Sequence, residues 1–200
     1  MCELIVPIPL NPTLLNLKGI SPNQIRQHFD ILYRGYVQTA NEIRSQLTNV
    51  TRENQNPRYT EFRSLKVAET YNVDGAVLHE LYFTNLTPCP TAPPPPLLRA
   101  IEKDFGSYQA WEQDFRAVAA ASRGWGALCY DYRDKCLHNY LFDAHNVGIV
   151  ASAPILLIID VYEHAYFIDY DAHRAPYIDA FMQNINWPVV MERYQYSAMA

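Results

Sequence analysis

Six prolines within twelve residues, in TPCPTAPPPPLL at 87–98, constrain this chain more than any other feature. Proline fixes φ and lacks a backbone N–H, so a segment this rich in proline forbids helix and favours an extended polyproline conformation. The segment therefore predicts a boundary between an N-terminal domain, residues 1–89, and a C-terminal domain, residues 90–200. We interpret it as a plain linker rather than as a contact for another chain.

The N-terminal half has the pattern of a helical hairpin. The stretch SPNQIRQHFDILYRGYVQTANEIRSQL, residues 21–47, begins with Ser21 as N-cap and Pro22 at the first helical position, and its apolar residues recur at helical spacing. A polar loop follows, and TEFRSLKVAETYNVDGAVLHELYFTNL, residues 60–86, predicts a second helical stretch with an interruption near 72–75.

The C-terminal half has the pattern of a mixed domain. Residues 97–126 predict two helices with a break around Phe105–Gly106, and GALCYDYR and CLHNYLFDA predict a β-hairpin with a turn at Asp134 and Lys135. PILLIIDV, residues 154–161, predicts a third strand, and the remaining residues predict two short helices. Helices followed by strands and more helices indicate an α+β fold with a small, three-stranded antiparallel sheet.

Composition and charge exclude several classes of partner. The net charge is −5 and the 16 Lys and Arg residues are dispersed, so nucleic acid is not an expected partner. The most apolar window, residues 147–159, contains Pro154 and is shorter than the roughly 20 residues that a membrane span needs, so no membrane partner is expected. The four cysteines lack CxxC spacing and the chain opens without a secretory pattern, which favours a cytoplasmic location.

The stretch DVYEHAYFIDY, residues 160–170, places two acids and a histidine directly after a buried strand. Together with His28, His79 and His145 it supplies imidazoles and one carboxylate, a combination suited to a first-row transition metal. Each residue taken singly has a plainer interpretation, because a lone histidine on an amphipathic helix is commonly a surface or core residue. Spacing alone therefore leaves two interpretations open. One is a metal site, and the other is an aspartate that caps the strand beside a surface Glu-His pair.

Several motifs, taken together, resemble the iron/manganese superoxide dismutase family. DVYEHAYF is similar to that family's D-x-W-E-H-A-Y-Y, and SRGWGAL to its GSGWxWL. DFGSYQAWEQDF is similar to its FGSxxxFxxxF, GAVLHELYF to its helix with the second ligand, and HFDILYRGYV to its HxxxHHxxYV. The resemblance runs in the family's order over residues 20–194.

The resemblance implies a superoxide dismutase, an enzyme that converts two superoxide anions to O2 and H2O2. It implies one iron or manganese ion per subunit and a homodimer or a dimer of dimers. The implied metal ligands are His28, His79, Asp160 and His164. The other implied site residues are Tyr36 at the substrate entrance, Trp125 as an aromatic wall, Glu163 reaching His164 of the partner subunit, and Arg174 as an attractor of the anion. A structural Arg174 that stacks on an aromatic ring is an equal alternative.

The resemblance also implies a hydrogen-bond donor to the metal-bound solvent, which family members supply from one of two places. The first place, four positions before the second ligand, is Gly75 and has no side chain. The second place, after the hairpin, is His145, which we predict to be the donor.

The chain departs from the family pattern at several positions. Leu32 and Tyr33 stand where the family has histidines, Phe167 where it has a second Tyr, and Tyr162 where it has Trp. The apolar pair Leu32 and Phe167 predicts a subunit interface held by packing rather than by a hydrogen bond.

An alternative function is a metal-binding relative with weak or no dismutase activity and a structural or interaction role. Another is a peroxidase or hydrolase on the same scaffold.

Overall fold

The computed structural model describes residues 3–199, and its first half is helical. A helical run comprises α1 (Pro22–Arg26), a π-helical segment (Gln27–Tyr33) and α2 (Arg34–Leu47). The Ser21 hydroxyl caps this run by accepting a hydrogen bond from the Gln24 backbone N–H. The predicted start is therefore confirmed. The π-helical segment was not predicted, and such wide turns are frequent at functional sites.

Helix α3 (Glu61–Thr84) runs antiparallel to α2 and has no break, so the predicted interruption near 72–75 is wrong. Its glycine, Gly75, is buried where α3 meets the α2 side chain Tyr36. A Cβ there would lie 2.9 Å from Tyr36 Cδ1, so the close approach of the two helices requires glycine. Packing between the helices outweighs the low helix propensity of this stretch.

The proline segment is only partly extended. Residues 87–94 form no helix, but Pro95 and Pro96 open α4 (Pro95–Phe105), so the prediction that the whole segment excludes helix is wrong at its end. Proline is tolerated in the first turn because the N–H groups there have no partner within the helix. Gly106, with φ of +88°, ends α4, and Ser107 caps α5 (Tyr108–Ala121), which confirms the predicted break.

The sheet has three antiparallel strands in the order β2-β1-β3, as the α+β prediction requires. The strands are β1 (Trp125–Asp131), β2 (Cys136–Phe142) and β3 (Ile155–Asp160). Every residue of the central strand β1 is buried. Trp125 at the start of β1 pairs with Asp160 at the end of β3. An indole ring therefore lies beside a carboxylate at this end of the strands.

Short helices complete the chain after β3. A 3-10 turn (Glu163–Ala165) leads into α6 (Phe167–Tyr170), and α7 (Arg174–Met182) and α8 (Trp187–Met199) follow. The predicted closing helices are confirmed. Within residues 3–199, no helix is both long and apolar enough to cross a membrane.

One hydrophobic core joins the two halves of the chain. It extends from Phe29 and Phe83 of the helical half to Trp111 and Phe181 of the mixed half. Polar contacts reinforce the junction: the Asn85 amide donates to the Ile158 carbonyl over 2.8 Å, in a fully buried position.

The clearest polar link between the halves is Arg193 on α8. Its guanidinium donates to Asn85 Oδ1 (2.5 Å), to the Leu156 carbonyl (2.9 Å) and to Thr84 Oγ1 (2.6 Å). Burial lowers the pKa of Arg193 to about 10, which leaves it charged at neutral pH. The end of α3, strand β3 and α8 are therefore tied by one cation.

Replacing Arg193 by alanine should lower the free energy of unfolding by about 2–3 kcal/mol, because buried acceptors lose their donor. Urea unfolding followed by circular dichroism measures this change. The matched control is Arg133→Ala, whose side chain is exposed and which should change stability by less than about 0.5 kcal/mol. Equal stability of the two variants would contradict the assigned role.

Candidate metal centre

Four side chains from four separate segments converge at one point. His28 comes from the π-helical segment, His79 from α3, Asp160 from the end of β3 and His164 from the 3-10 turn that follows. One ligand atom from each lies within 4.8 Å of the others. The structure thus brings together the four residues that the resemblance implies as metal ligands.

Asp160 is the centre of this group. Its Oδ2 atom lies 3.1 Å from His28 Nε2, 3.1 Å from His164 Nε2 and 3.5 Å from His79 Nε2. Its other oxygen, Oδ1, accepts a hydrogen bond of 2.9 Å from the Tyr162 backbone N–H. One carboxylate oxygen therefore faces all the imidazoles while the backbone holds the other.

These distances suit a shared cation. Metal bonds to imidazole nitrogen and carboxylate oxygen, with zinc as the reference case, are about 2.1 Å long, so ligand atoms at 90–120° are about 3.0–3.6 Å apart. The separations from Asp160 Oδ2, between 3.1 and 3.5 Å, lie within that range. The donor set of imidazoles and one carboxylate suits iron or manganese.

His79 has the hydrogen bonding of a metal-binding histidine. Its Nδ1–H donates to the Gly75 carbonyl over 2.6 Å, which leaves the lone pair on Nε2. That Nε2 atom is buried and has no hydrogen-bond partner, as expected for a nitrogen reserved for a cation. His28 differs: it faces Asp160 through Nε2, and its other ring nitrogen, Nδ1, is buried without the hydrogen-bond acceptor that His79 Nδ1 has.

The electrostatics of the cluster favour neutral imidazoles at His28 and His79 beside an ionised carboxylate. Burial lowers the pKa of His28, and it lowers the pKa of His79 well below its usual value. Burial alone would raise the pKa of Asp160, but His164 and His28 outweigh it and hold that pKa below its usual range. Burial opposes the protonation of His164, but Asp160 outweighs burial and raises the His164 pKa, so a cation would have to displace a proton there. The lone pairs of His28 and His79 and one negative charge are therefore available to a cation.

His145 lies beside this cluster, in the turn after β2. The Trp125 indole N–H donates to His145 Nδ1 over 3.0 Å, so the neutral ring carries its proton on Nε2. Burial lowers the pKa of His145 to about 4, which keeps the ring neutral at physiological pH. The Nε2–H is buried without a protein partner and is available as a hydrogen-bond donor.

Gly75 leaves the space that His145 and Tyr36 occupy. A Cβ at Gly75 would lie 2.9 Å from Tyr36 Cδ1 and 3.3 Å from His145 Cδ2. A side chain at this position would therefore displace both rings. The absence of a side chain at Gly75 is thus what makes room for the imidazole at His145.

Aromatic rings line the remainder of the centre. The Trp125 ring meets His79 edge-on at 5.0 Å, and the Tyr36 ring lies 5.1 Å from His79 and 4.7 Å from His145. Burial raises the pKa of Tyr36, so its phenol is protonated.

Sequence reasoning missed Tyr71, whose ring lies 4.5 Å from His145. It stands on α3 four positions before Gly75 and eight before His79, and this spacing could have found it.

The predicted residues Glu163 and Arg174 lie at an open cleft rather than among the ligands. The cleft, of about 580 Å³, is lined by Tyr162, Glu163, His164 and Arg174 among others. The Glu163 side chain is exposed. Arg174 donates to the Ser122 carbonyl over 2.6 Å and lies 5.9 Å from the Tyr166 ring centre, so it holds a structural contact while facing the cleft.

The remaining histidines and cysteines lie elsewhere. His138 pairs with Asp134 on the surface at 2.8 Å, and His173 is exposed. Cys89, Cys129 and Cys136 are free, and Cys2 lies outside the described residues.

Comparison with known proteins agrees with this geometry. Residues 93–193 match the C-terminal domain of iron/manganese superoxide dismutases. The iron superoxide dismutase of Aquifex pyrophilus is 46% identical over 185 residues, which cover 90% of this chain and 86% of that protein. The manganese superoxide dismutase of Haloarcula marismortui is 35% identical over 96% of this chain and 93% of its own length. The iron superoxide dismutase of Methanothermobacter marburgensis is 34% identical over 88% of each chain. The resemblance of the motifs is thereby confirmed, and the chain belongs to the iron/manganese superoxide dismutase family.

Proposed function

We propose that this protein is a superoxide dismutase that uses one iron or manganese ion per chain. The observation that carries the proposal is the convergence of three imidazoles on one oxygen of a buried aspartate. We assign His28, His79, Asp160 and His164 as the metal ligands. A redox-active ion held by these four residues would supply one-electron chemistry, by which one superoxide would be oxidised to O2 and another reduced, with two protons, to H2O2.

The protein's own part in this reaction is to hold the ligands and to manage protons. The Gly75 carbonyl fixes the tautomer of His79 by accepting its Nδ1–H. Trp125 fixes the tautomer of His145 in the opposite sense, so His145 presents an Nε2–H to solvent or to an anion in the site. Tyr36 adds a protonated phenol next to His145, which makes a path for protons from the entrance.

The entrance needs to attract an anion although the net charge of the chain is −5. Arg123 and Arg174 line the cleft beside His164 and supply local positive charge. We assign Arg174 to this role together with its structural bonds to Ser122 and Ala120.

We further propose that two copies of the chain associate through the surface that carries His164. Glu163 is exposed there, and the neighbouring apolar residues Phe167 and Ile168 expose 49% and 46% of their surface. In such a dimer Glu163 would reach His164 of the partner subunit and orient its ring. Leu32 and Phe167 would meet by packing.

Two further assignments stand as proposals. The free cysteines, of which Cys89 is exposed, favour a reducing compartment such as the cytoplasm. We also propose a division of the chain into residues 1–89 and 90–200, based on the composition of the proline segment. The two parts share one hydrophobic core.

His79→Ala should abolish metal binding, because it removes a buried ligand whose Nε2 has no other partner. We expect the metal content per chain and the superoxide activity to fall together by at least about a hundredfold. Elemental analysis and a superoxide assay on the purified protein measure both. His138→Ala, at an exposed histidine, is the control. Full activity after complete metal removal from the unmodified protein would refute the proposed function.

His145→Ala should leave the metal content unchanged and reduce the turnover rate by about ten- to a hundredfold, because it removes a proton donor and not a ligand. Measuring both quantities on one preparation separates the two roles. The exposed His173→Ala variant should match the unmodified protein. Loss of metal in parallel with activity would show that His145 acts instead as a ligand or as a structural residue.

Phe167→Asp should weaken self-association by at least about tenfold, because a charge replaces an apolar side chain in the proposed interface. Sedimentation equilibrium over a range of protein concentrations measures the dissociation constant. Tyr196→Asp, at a side chain that is 72% exposed on α8, serves as the control. Equal dissociation constants for the two variants would place the interface elsewhere.

A further inference from the structure

Four aromatic rings enclose His145. The Tyr71 ring centre is the nearest, at 4.5 Å, and Tyr36 follows at 4.7 Å. Tyr162 lies at 5.2 Å and Trp125 at 5.7 Å. Trp125 donates a hydrogen bond to His145 Nδ1. This bond leaves the imidazole free to rotate about it, so the orientation of the imidazole depends on the three tyrosine rings.

Tyr71 is built into the same helix flank as the metal ligand His79. Residues 71, 75 and 79 are spaced by four, which places them in line along α3. The neighbouring residue Thr70 accepts a hydrogen bond of 2.9 Å from the Asn146 side chain, directly after His145. The turn that carries His145 is thus fastened to α3 at the point where the Tyr71 and His145 rings meet.

The Tyr71 ring also packs against Tyr36, whose ring centre lies 6.2 Å away. The Tyr36 ring in turn lies 4.7 Å from His145, so Tyr36, Tyr71 and His145 form one group of mutually packed rings.

We propose that Tyr71 is a positioning residue of the dismutase site, whose ring holds His145 in place by direct packing. This inference rests on the proposed function. Leucine removes the ring and phenylalanine keeps it, so the two substitutions separate the role of the ring from that of the hydroxyl.

Removal of the ring should act on proton supply and not on anion entry. In Tyr71→Leu we expect kcat to fall by about three- to tenfold, because His145 no longer holds its Nε2–H in a fixed position, with a larger solvent deuterium isotope effect on kcat. The ratio kcat/KM should change by less than about twofold, because the proposed ligands and the cleft arginines are untouched. Tyr71→Phe keeps the ring and should retain the kcat of the unmodified enzyme. Stopped-flow decay of superoxide by the metal-loaded enzyme in H2O and D2O gives these quantities.

Removal of the ring should change the surroundings of His145, and the chain offers a direct probe of them. It contains three tryptophans, so its indole N–H resonances are few, and the Trp125 N–H is the one bonded to His145. In the full chain loaded with zinc, which has no unpaired electrons, Tyr71→Leu should move the Trp125 indole resonance. The Trp111 and Trp187 resonances should stay in place.

Tyr108 provides the matched control, because it is half-buried and packs against Trp111 at 5.2 Å and Trp187 at 6.1 Å. Tyr108→Leu should move those two resonances and leave Trp125 unchanged, and Tyr108→Phe should leave kcat unchanged.

Two results would overturn the inference. One is a Tyr71→Leu enzyme whose kcat and isotope effect equal those of the unmodified enzyme. The other is a Trp125 resonance that does not move in Tyr71→Leu. Failure of the proposed function has a different signature, since the unmodified metal-loaded protein would then lack dismutase activity while the tryptophan measurement would still decide the role of the ring.

Discussion

The structure depends on the burial of one carboxylate among three imidazoles. Asp160 has no solvent exposure, and taking an ionised group out of water costs several kcal/mol unless charge and hydrogen bonds compensate. His28, His79 and His164 surround it with nitrogen atoms. Burial disfavours the protonation of His28 and His79, whereas Asp160 raises the pKa of His164. A cation shared among the four groups resolves both problems, because it supplies the positive charge and takes up the lone pairs.

The elements of the fold can be understood as the means of meeting this constraint. Strand β3 delivers Asp160 to the interior, and its pairing with β1 sets Trp125 alongside. Trp125 in turn orients His145, while Gly75 in α3 admits His145 and Tyr36 into the space beside His79. The π-helical segment places His28 opposite. Because the four proposed ligands come from both sides of the proline segment, the core and Arg193 hold the two halves of the chain in the arrangement that the site needs.

Local signals in the sequence predicted most of the elements. Caps and periodicity indicated the first helical run, and the short turn at Asp134 and Lys135 indicated the hairpin. The uninterrupted α3 was not predicted, because Gly75 is accommodated by contact with another helix, which no local pattern records. The convergence of the ligands was predicted from the resemblance to a family rather than from spacing, since His28 and Asp160 are 132 positions apart. Tyr71 was missed because its contact with His145 is distant in the chain, although its helical spacing to Gly75 and His79 was a usable local signal.

The most direct test of this account is X-ray diffraction from crystals of the metal-loaded protein, measured at the iron or manganese absorption edge. The proposed metal centre predicts one anomalous peak per chain, about 2.1 Å from the nearest side-chain atoms of His28, His79, Asp160 and His164. A peak bound by other residues, or these four side chains pointing away from one another without a metal between them, would contradict it.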